Sequence, residues 1–252
     1  MPGGGVVLRD HGDRVVMRMP GQPDYWFGNC TIFRGGPDDP EGQVARARAD
    51  LSDLTHTALV WDEPAAVRGD ALEAFERLGF DVELDDVLTH RGPVAAVACP
   101  DGVRLGQLAS DDDWQAATAL QIATGLEEGH PAGPHEAFVR ALMAERRRRA
   151  GAGGLRWFGA FADGALVADL GLVEGAGLLR FQAVETRAEH RRRGIAAALV
   201  SHASRSVGPE ARDAVQVIVA ERGGPAGRIY RRLGFAPTER IASAVRGSYG
   251  PA

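Results

Sequence analysis

The stretch Arg191-Arg192-Arg193-Gly194-Ile195-Ala196 has the make-up of an anion cradle. Three arginines lead to a glycine and a small residue. An amphipathic run with Ile195, Leu199 and Ala203 on one face follows at once, so Gly194 falls where a helix begins. The first N–H groups of a helix have no internal partner and together carry roughly half a positive charge. Gly194 and Ala196 keep side-chain bulk away from them, so a phosphate can meet the main chain directly. Each charge-assisted hydrogen bond of this kind contributes about 1.5–3 kcal/mol, and several together hold a pyrophosphate. An arginine-rich helix start is common by itself; its surroundings give this one meaning. A strand over Leu178–Val184 leads into it, its helix runs over Ile195–Val207, and the apolar run Val215–Ala220 follows, which makes a parallel β-α-β crossover.

A second reactive group stands further on. Ala226, Ile229, Tyr230 and Leu233 recur at helical spacing, and Gly234 supplies the left-handed residue that closes the helix. Tyr230 thus offers a phenol, a proton donor with an ordinary pKa near 10. Together these segments resemble a known family. Arg191-Arg192-Arg193-Gly194-Ile195-Ala196 resembles the pyrophosphate-binding R-x-x-G-x-G/A motif of the GNAT acyltransferases, and Ile229-Tyr230-Arg231-Arg232-Leu233-Gly234-Phe235 resembles their later Tyr-x-x-x-Gly-Phe motif. The order of elements from Val103 to Arg246 fits the family's whole fold.

The resemblance implies an α/β chain with a mixed sheet, the GNAT acyl-CoA N-acyltransferase fold. It implies acetyl-CoA as cofactor, lying between splayed strands Leu178–Val184 and Val215–Ala220. The cofactor would be held by Val184, Glu185, Thr186, Arg191, Arg192, Arg193, Gly194, Ile195, Ala196, Ala197 and Tyr230. The implied catalytic groups are Val184, whose N–H would polarise the thioester carbonyl, and Tyr230, as acid toward the leaving thiolate. The implied reaction is direct acetylation of a primary amine on a small molecule or peptide. A non-catalytic acyl-CoA sensor is the alternative, disfavoured because Tyr230 is retained. Two positions depart from the family's pattern. Gly223 stands where many relatives have Asn, and Leu178 where some have a glutamate base. Glu185, Glu189 and His190 read as solvated loop residues, so the base is unassigned.

These groups need a scaffold. Strands are expected at Val103–Leu108, Leu155–Phe161 and Ala165–Leu172, the last two joined by Asp163-Gly164, a type I′ turn signal. A Gly175-Ala176-Gly177 turn leads on to Leu178. Helices are expected over Trp114–Thr124, behind the acidic start Ser110-Asp111-Asp112-Asp113, and over His135–Arg149, whose arginines Arg146–Arg149 read as a solvated basic end.

In the first half, strands are expected at Arg14–Met19, Cys30–Arg34, Thr57–Trp61 and Val82–Thr89, with helices at Gly42–Leu51 and Asp70–Leu78. The segment Ala71–Phe80 matches Ala226–Phe235 in spacing, both ending Leu-Gly-Phe. With no R-x-x-G-x-A of its own, this half resembles a degenerate GNAT lobe. The aromatics Tyr25, Trp26 and Phe27 read as packing groups within it. Gly92–Gly102 reads as a connection, which places a boundary near Pro100: a degenerate lobe over 1–100 and a catalytic domain over 101–252.

Composition narrows the classes. With 44% hydrophobic and 25% charged residues, the 252-residue chain can bury a core. A formal net charge of -5 argues against nucleic acid as the partner. Its basic residues are all arginine, which lowers the weight of any one. Cys30 and Cys99 have no metal-ligand or redox spacing and read as reduced thiols. Neither a leader at Met1–Gly5 nor an apolar membrane span is seen, so a cytoplasmic location and no membrane partner are expected. Oligomeric state stays open, a homodimer included.

Overall fold

The computed structural model describes residues 5–61, 69–175, 177–208 and 213–247. Ala176, in the expected Gly-Ala-Gly turn, and most of Met1–Gly5 lie outside them. The chain forms two compact units, Met1–Asp86 with Glu239–Ala252, and Val87–Thr238. This division and the expected boundary near Pro100 do not coincide, and the reason is a long-range pairing at the C-terminal end. There Ala242–Arg246 lies antiparallel to Thr57–Trp61 and supplies Ala242 and Ala244 to the first unit's core.

The first unit contains β1 (Val7–Asp10), β2 (Arg14–Arg18), a short 3-10 turn (Trp26–Gly28), β3 (Cys30–Phe33), α1 (Pro40–Asp50), β4 (Thr57–Trp61), α2 (Gly69–Arg77) and the start of β5 (Asp81–Arg91). β3 and β4 are parallel, joined through α1, while β1 and β2 extend the sheet antiparallel. Its core is aromatic: the Trp61 ring meets Phe75 edge-on at 4.7 Å and stacks with Phe33 at 6.5 Å. Such pairs add about 0.5–1.5 kcal/mol each beyond their buried area. The Tyr25-Trp26-Phe27 turn is knotted by buried Asn29, whose Nδ2 donates to the Gln22 carbonyl at 2.7 Å and to the Tyr25 carbonyl at 2.9 Å.

The second unit runs from the end of β5 through β6 (Val103–Gln107), α3 (Asp111–Glu127), α4 (Ala132–Gly151), β7 (Leu155–Ala162), β8 (Ala165–Gly175), β9 (Leu178–Thr186), α5 (Ile195–Arg205), β10 (Val215–Glu221), α6 (Pro225–Arg232) and the start of β11 (Ala236–Arg246). The sheet order β10-β9-β8-β7-β6 puts the parallel β9–β10 pair beside an antiparallel meander. Asp163 and Gly164 turn the β7–β8 hairpin with φ of 50° and 80°, as a type I′ turn requires. α3 starts earlier than its apolar periodicity suggests because Ser110 and Asp113 form a reciprocal cap: the Ser110 hydroxyl accepts from Asp113 N–H at 3.1 Å, and the Asp113 carboxylate accepts from Ser110 N–H at 3.0 Å.

Strand alternation splits this unit's core in two. Leu155, Trp157 and Leu166 pack with Trp114, Leu120, Val139 and Met143 of α3 and α4. Phe158, Leu170, Leu172 and Phe181 pack with Leu199 and Ala203 of α5 and Tyr230 of α6. The run Arg146–Arg149 is more engaged than a solvated helix end. The Arg146 guanidinium lies 4.8 Å from the Trp157 ring centre, Arg147 pairs with Asp111, and Arg148 with Glu145.

Candidate active site

The start of α5 is left open by its own sequence. Gly194 is the N-cap residue with φ 80°, in the left-handed region, and no side chain caps the helix. Arg191 N–H donates to the Ala188 carbonyl at 3.2 Å, and Ala198 N–H, one turn later, to Gly194 at 3.0 Å. Among the described residues, no protein oxygen accepts from the N–H groups of Arg192 through Ala197. The side chains brace the loop from outside. Arg191 donates to the Thr186 carbonyl at 2.9 Å and to Glu127 at 3.1 Å, and Arg193 Nη1 lies 3.0 Å from His190 Nδ1.

α1 of the first unit starts differently at the same crossover point. Asp39 turns its carboxylate onto Gly42 N–H at 3.1 Å, and its carbonyl accepts from Gln43 N–H at 2.8 Å. One helix start thus has a carboxylate of its own on a first-turn N–H and the other has no side-chain cap.

Beside the open turn the sheet parts. β9 and β10 pair only at Val215↔Leu178, Gln216↔Leu179 and Val217↔Arg180, although β9 continues to Thr186 and β10 to Glu221. On its other side β9 carries a bulge. Its register with β8 shifts between Gly171↔Gln182 and Asp169↔Glu185, and Ala183 takes φ 48°, a sign rare outside glycine. Val184, half-buried against the α5 side of the core, sits in this bulge past the last β9–β10 pair. The two strands thus run on unpaired, and β9 leads to a helix start with free donors. This suits a linear ligand with an anionic group at one end. Tyr230 is buried at 4% exposure, with its ring 6.4 Å from Phe235. Burial first, and the charge of Glu185 second, push its phenol well above the usual value.

Known proteins share this fold. The sequence model of the FR47-like protein family matches residues 163–242, from the β7–β8 turn into β11. No curated protein sequence matches the chain. Three solved structures are similar along nearly its whole length. A functionally unknown conserved protein from Staphylococcus epidermidis has a TM-score of 0.75 at 14% identity, covering 97% of this chain and 94% of its own. A GCN5-related N-acetyltransferase from Kribbella flavida has a TM-score of 0.63 at 20% identity, with coverage of 98% and 91%. A tandem GNAT protein from the clavulanic acid biosynthesis pathway has a TM-score of 0.59 at 19% identity, with coverage of 100% and 85%. The chain is a GNAT-fold protein.

In this GNAT fold the residues singled out by sequence separate into distinct roles. Arg192 through Ala197 present main-chain donors, whereas the main-chain N–H of Arg191 is already used and its side chain reaches Glu127. Gly223 has φ 81° and open space where a Cβ would stand; its carbonyl accepts from Arg228 at 3.0 Å. Leu178 is exposed at the far end of β9. Glu189 is exposed in a 3-10 turn, as expected of a solvated loop residue, and His190 is half-buried against Arg193.

Glu185 departs from the solvated reading. It lies in β9, half-buried, on the face covered by α3. Burial, then the charges of Asp169 and Glu128, push its carboxyl up to about 7 against the pull of Arg191 and Arg146. Asp169, which no motif singles out, is fully buried, and burial pushes it too up to about 7. Its two oxygens accept from Trp157 Nε1 and Gln121 Nε2, each at 2.8 Å. One signal could have found it: a lone acid inside the apolar strand Ala165–Leu172.

Proposed function

We propose that this GNAT-fold chain is an N-acetyltransferase that takes its acyl group from acetyl-CoA and passes it directly to a primary amine of a small molecule or peptide. The observation that carries the reading is the left-handed Gly194 cap, with the N–H groups of Arg192–Ala197 free of protein acceptors. A pyrophosphate fits those donors, and a linear pantetheine arm fits beside β9 beyond Val217↔Arg180, along Val184–Thr186. When bound, acetyl-CoA supplies an acetyl thioester as electrophile. That the Kribbella flavida protein is named a GCN5-related N-acetyltransferase agrees with this, at the level of a shared fold.

The chain's own groups divide the remaining work. Glu185 is the base: with its carboxyl up to about 7, a substantial fraction is ionised at neutral pH and is basic enough to take a proton from the attacking amine. Val184, in the bulge, offers its N–H to the developing oxyanion. Tyr230 stays protonated and donates its phenolic proton to the departing sulfur. The two proton steps assist each other. Once Glu185 holds the amine's proton its charge is gone, and the phenol loses one of the two influences that kept it weakly acidic.

The test has two arms. Acetyl-CoA raises the melting temperature of the wild-type chain, and a panel of amines assayed for released thiol identifies an acceptor. Arg193→Glu with Gly194→Asp places carboxylates in the cradle and abolishes the thermal rise. A rise of the same size in that double variant rules out the cradle, and with it the enzyme.

A further inference from the structure

Glu185 and Asp169 are Cα partners on adjacent antiparallel strands. Side chains so placed share a face, with Cβ atoms about 4.5–5.5 Å apart, and like charges there repel. The bulge creates this juxtaposition. Before it, the register pairs Gly171 with Gln182 and Leu172 with Phe181; continued unchanged, it would set Glu185 opposite Ala168, on the α5 face of the sheet. The extra residue at Ala183 turns Glu185 to the other face and brings it against a second acid.

Asp169 sits between Ala168 and Leu170 in the core, and among the described residues it has no ion-pair partner of its own, in a chain whose cations are all arginine. Its oxygens are held instead by two neutral donors, the Trp157 indole and the Gln121 amide. Arginine assistance comes from Arg146, stacked on the Trp157 ring, and from Arg187. A carboxylate held by neutral donors keeps its field when ionised. That field reaches Glu185. The other charged or titratable groups acting there are Glu128 after α3, Arg146 on α4, Arg191 in the loop before α5, and Tyr230 on α6.

We propose that Asp169, fixed from behind by Trp157 and Gln121, is a positioning residue that governs the acid-base behaviour of Glu185. The proposal rests on Glu185 being the base, and it assigns to Asp169 no contact with substrate.

The decisive variant is Asp169→Asn, which keeps the shape and removes the charge; its oxygen accepts from Trp157 Nε1, and its amide nitrogen donates to Gln121 once that side-chain amide turns its oxygen inward. The carboxyl of Glu185 is titrated by carbon-13 NMR in the full chain without ligands, and kcat/KM for the acceptor found by the amine panel is measured against pH. The Glu185 midpoint and the acidic limb of the rate profile both move down by about one pH unit. Gln121→Leu removes one donor, leaves Asp169 protonated to higher pH, and moves the Glu185 midpoint the same way by less; it serves should Asp169→Asn fail to fold. An unmoved Glu185 midpoint in the folded variant overturns the proposal, whether or not the chain is active. A midpoint that moves while the acidic limb stays fixed upholds the coupling and removes Glu185 from the role of base.

Discussion

Arg191 Nη2 lies 3.1 Å from Glu127 Oε2, which ties the loop leading into α5 to the last turn of α3. The cradle loop therefore leans on the helix that covers the carboxylate face of the sheet. Both partners are more than a third exposed, so the pair is screened and contributes at most about 1 kcal/mol. Glu127→Ala is expected to weaken acetyl-CoA binding by no more than about five-fold and to leave the melting temperature nearly unchanged. Isothermal calorimetry beside a thermal scan separates the two effects. A large loss of stability would show that the tie supports the fold and not the loop.

Tyr230→Phe removes a hydroxyl and keeps the ring against Phe235. If the phenol delivers the proton to sulfur, kcat falls on the order of 10²-fold while the acetyl-CoA dissociation constant changes little. Steady-state kinetics with equilibrium binding checks this, and equal turnover in the variant would take the tyrosine out of the mechanism.

Stability should depend on pH in an unusual direction near neutrality. Asp169 and Glu185 have folded-state values pushed up to about 7, above their ordinary 3.8 and 4.5. The folded chain therefore binds more protons than the unfolded chain between those limits. Their contribution is full below the ordinary values and is lost as pH rises toward about 7, beyond which it is flat. Thermal scans from about pH 5 to about pH 8 should show the melting temperature falling, and the slope should flatten in the Asp169→Asn, Glu185→Gln double variant. Equal slopes in the two chains would mean that neither acid is perturbed.

Gly223 already has the positive φ that asparagine tolerates, and a side chain there meets open space. Gly223→Asn is expected to restore a family contact and tighten acetyl-CoA binding by about 0.5–1.5 kcal/mol, roughly two- to ten-fold. Binding calorimetry on the two chains reads the change directly; weaker binding would show that the loop after β10 holds the cofactor differently here.

Local chemistry made much of this molecule legible. Asp163-Gly164 fixed a hairpin because a type I′ turn has few sequence solutions, and Gly194 before an apolar helical stripe marked a helix start that structure leaves open. Thr57–Trp61 was plain because all five residues are apolar or β-branched and buried on both faces. What sequence hid depends on distance along the chain. Gln121 and Trp157 stand 48 and 12 residues from Asp169, so the staple on that acid has no local signature. The bulge at Ala183 turns on the sign of one φ that alanine does not advertise, and with it goes the face of Glu185. β1 was missed because its residues are all exposed, which leaves no alternation to read.

Asp39 has a consequence for stoichiometry. A carboxylate already sitting on the first turn of α1 repels any incoming phosphate and occupies the Gly42 N–H. However closely the first unit echoes the second in its crossover, one chain should therefore saturate with a single equivalent of coenzyme.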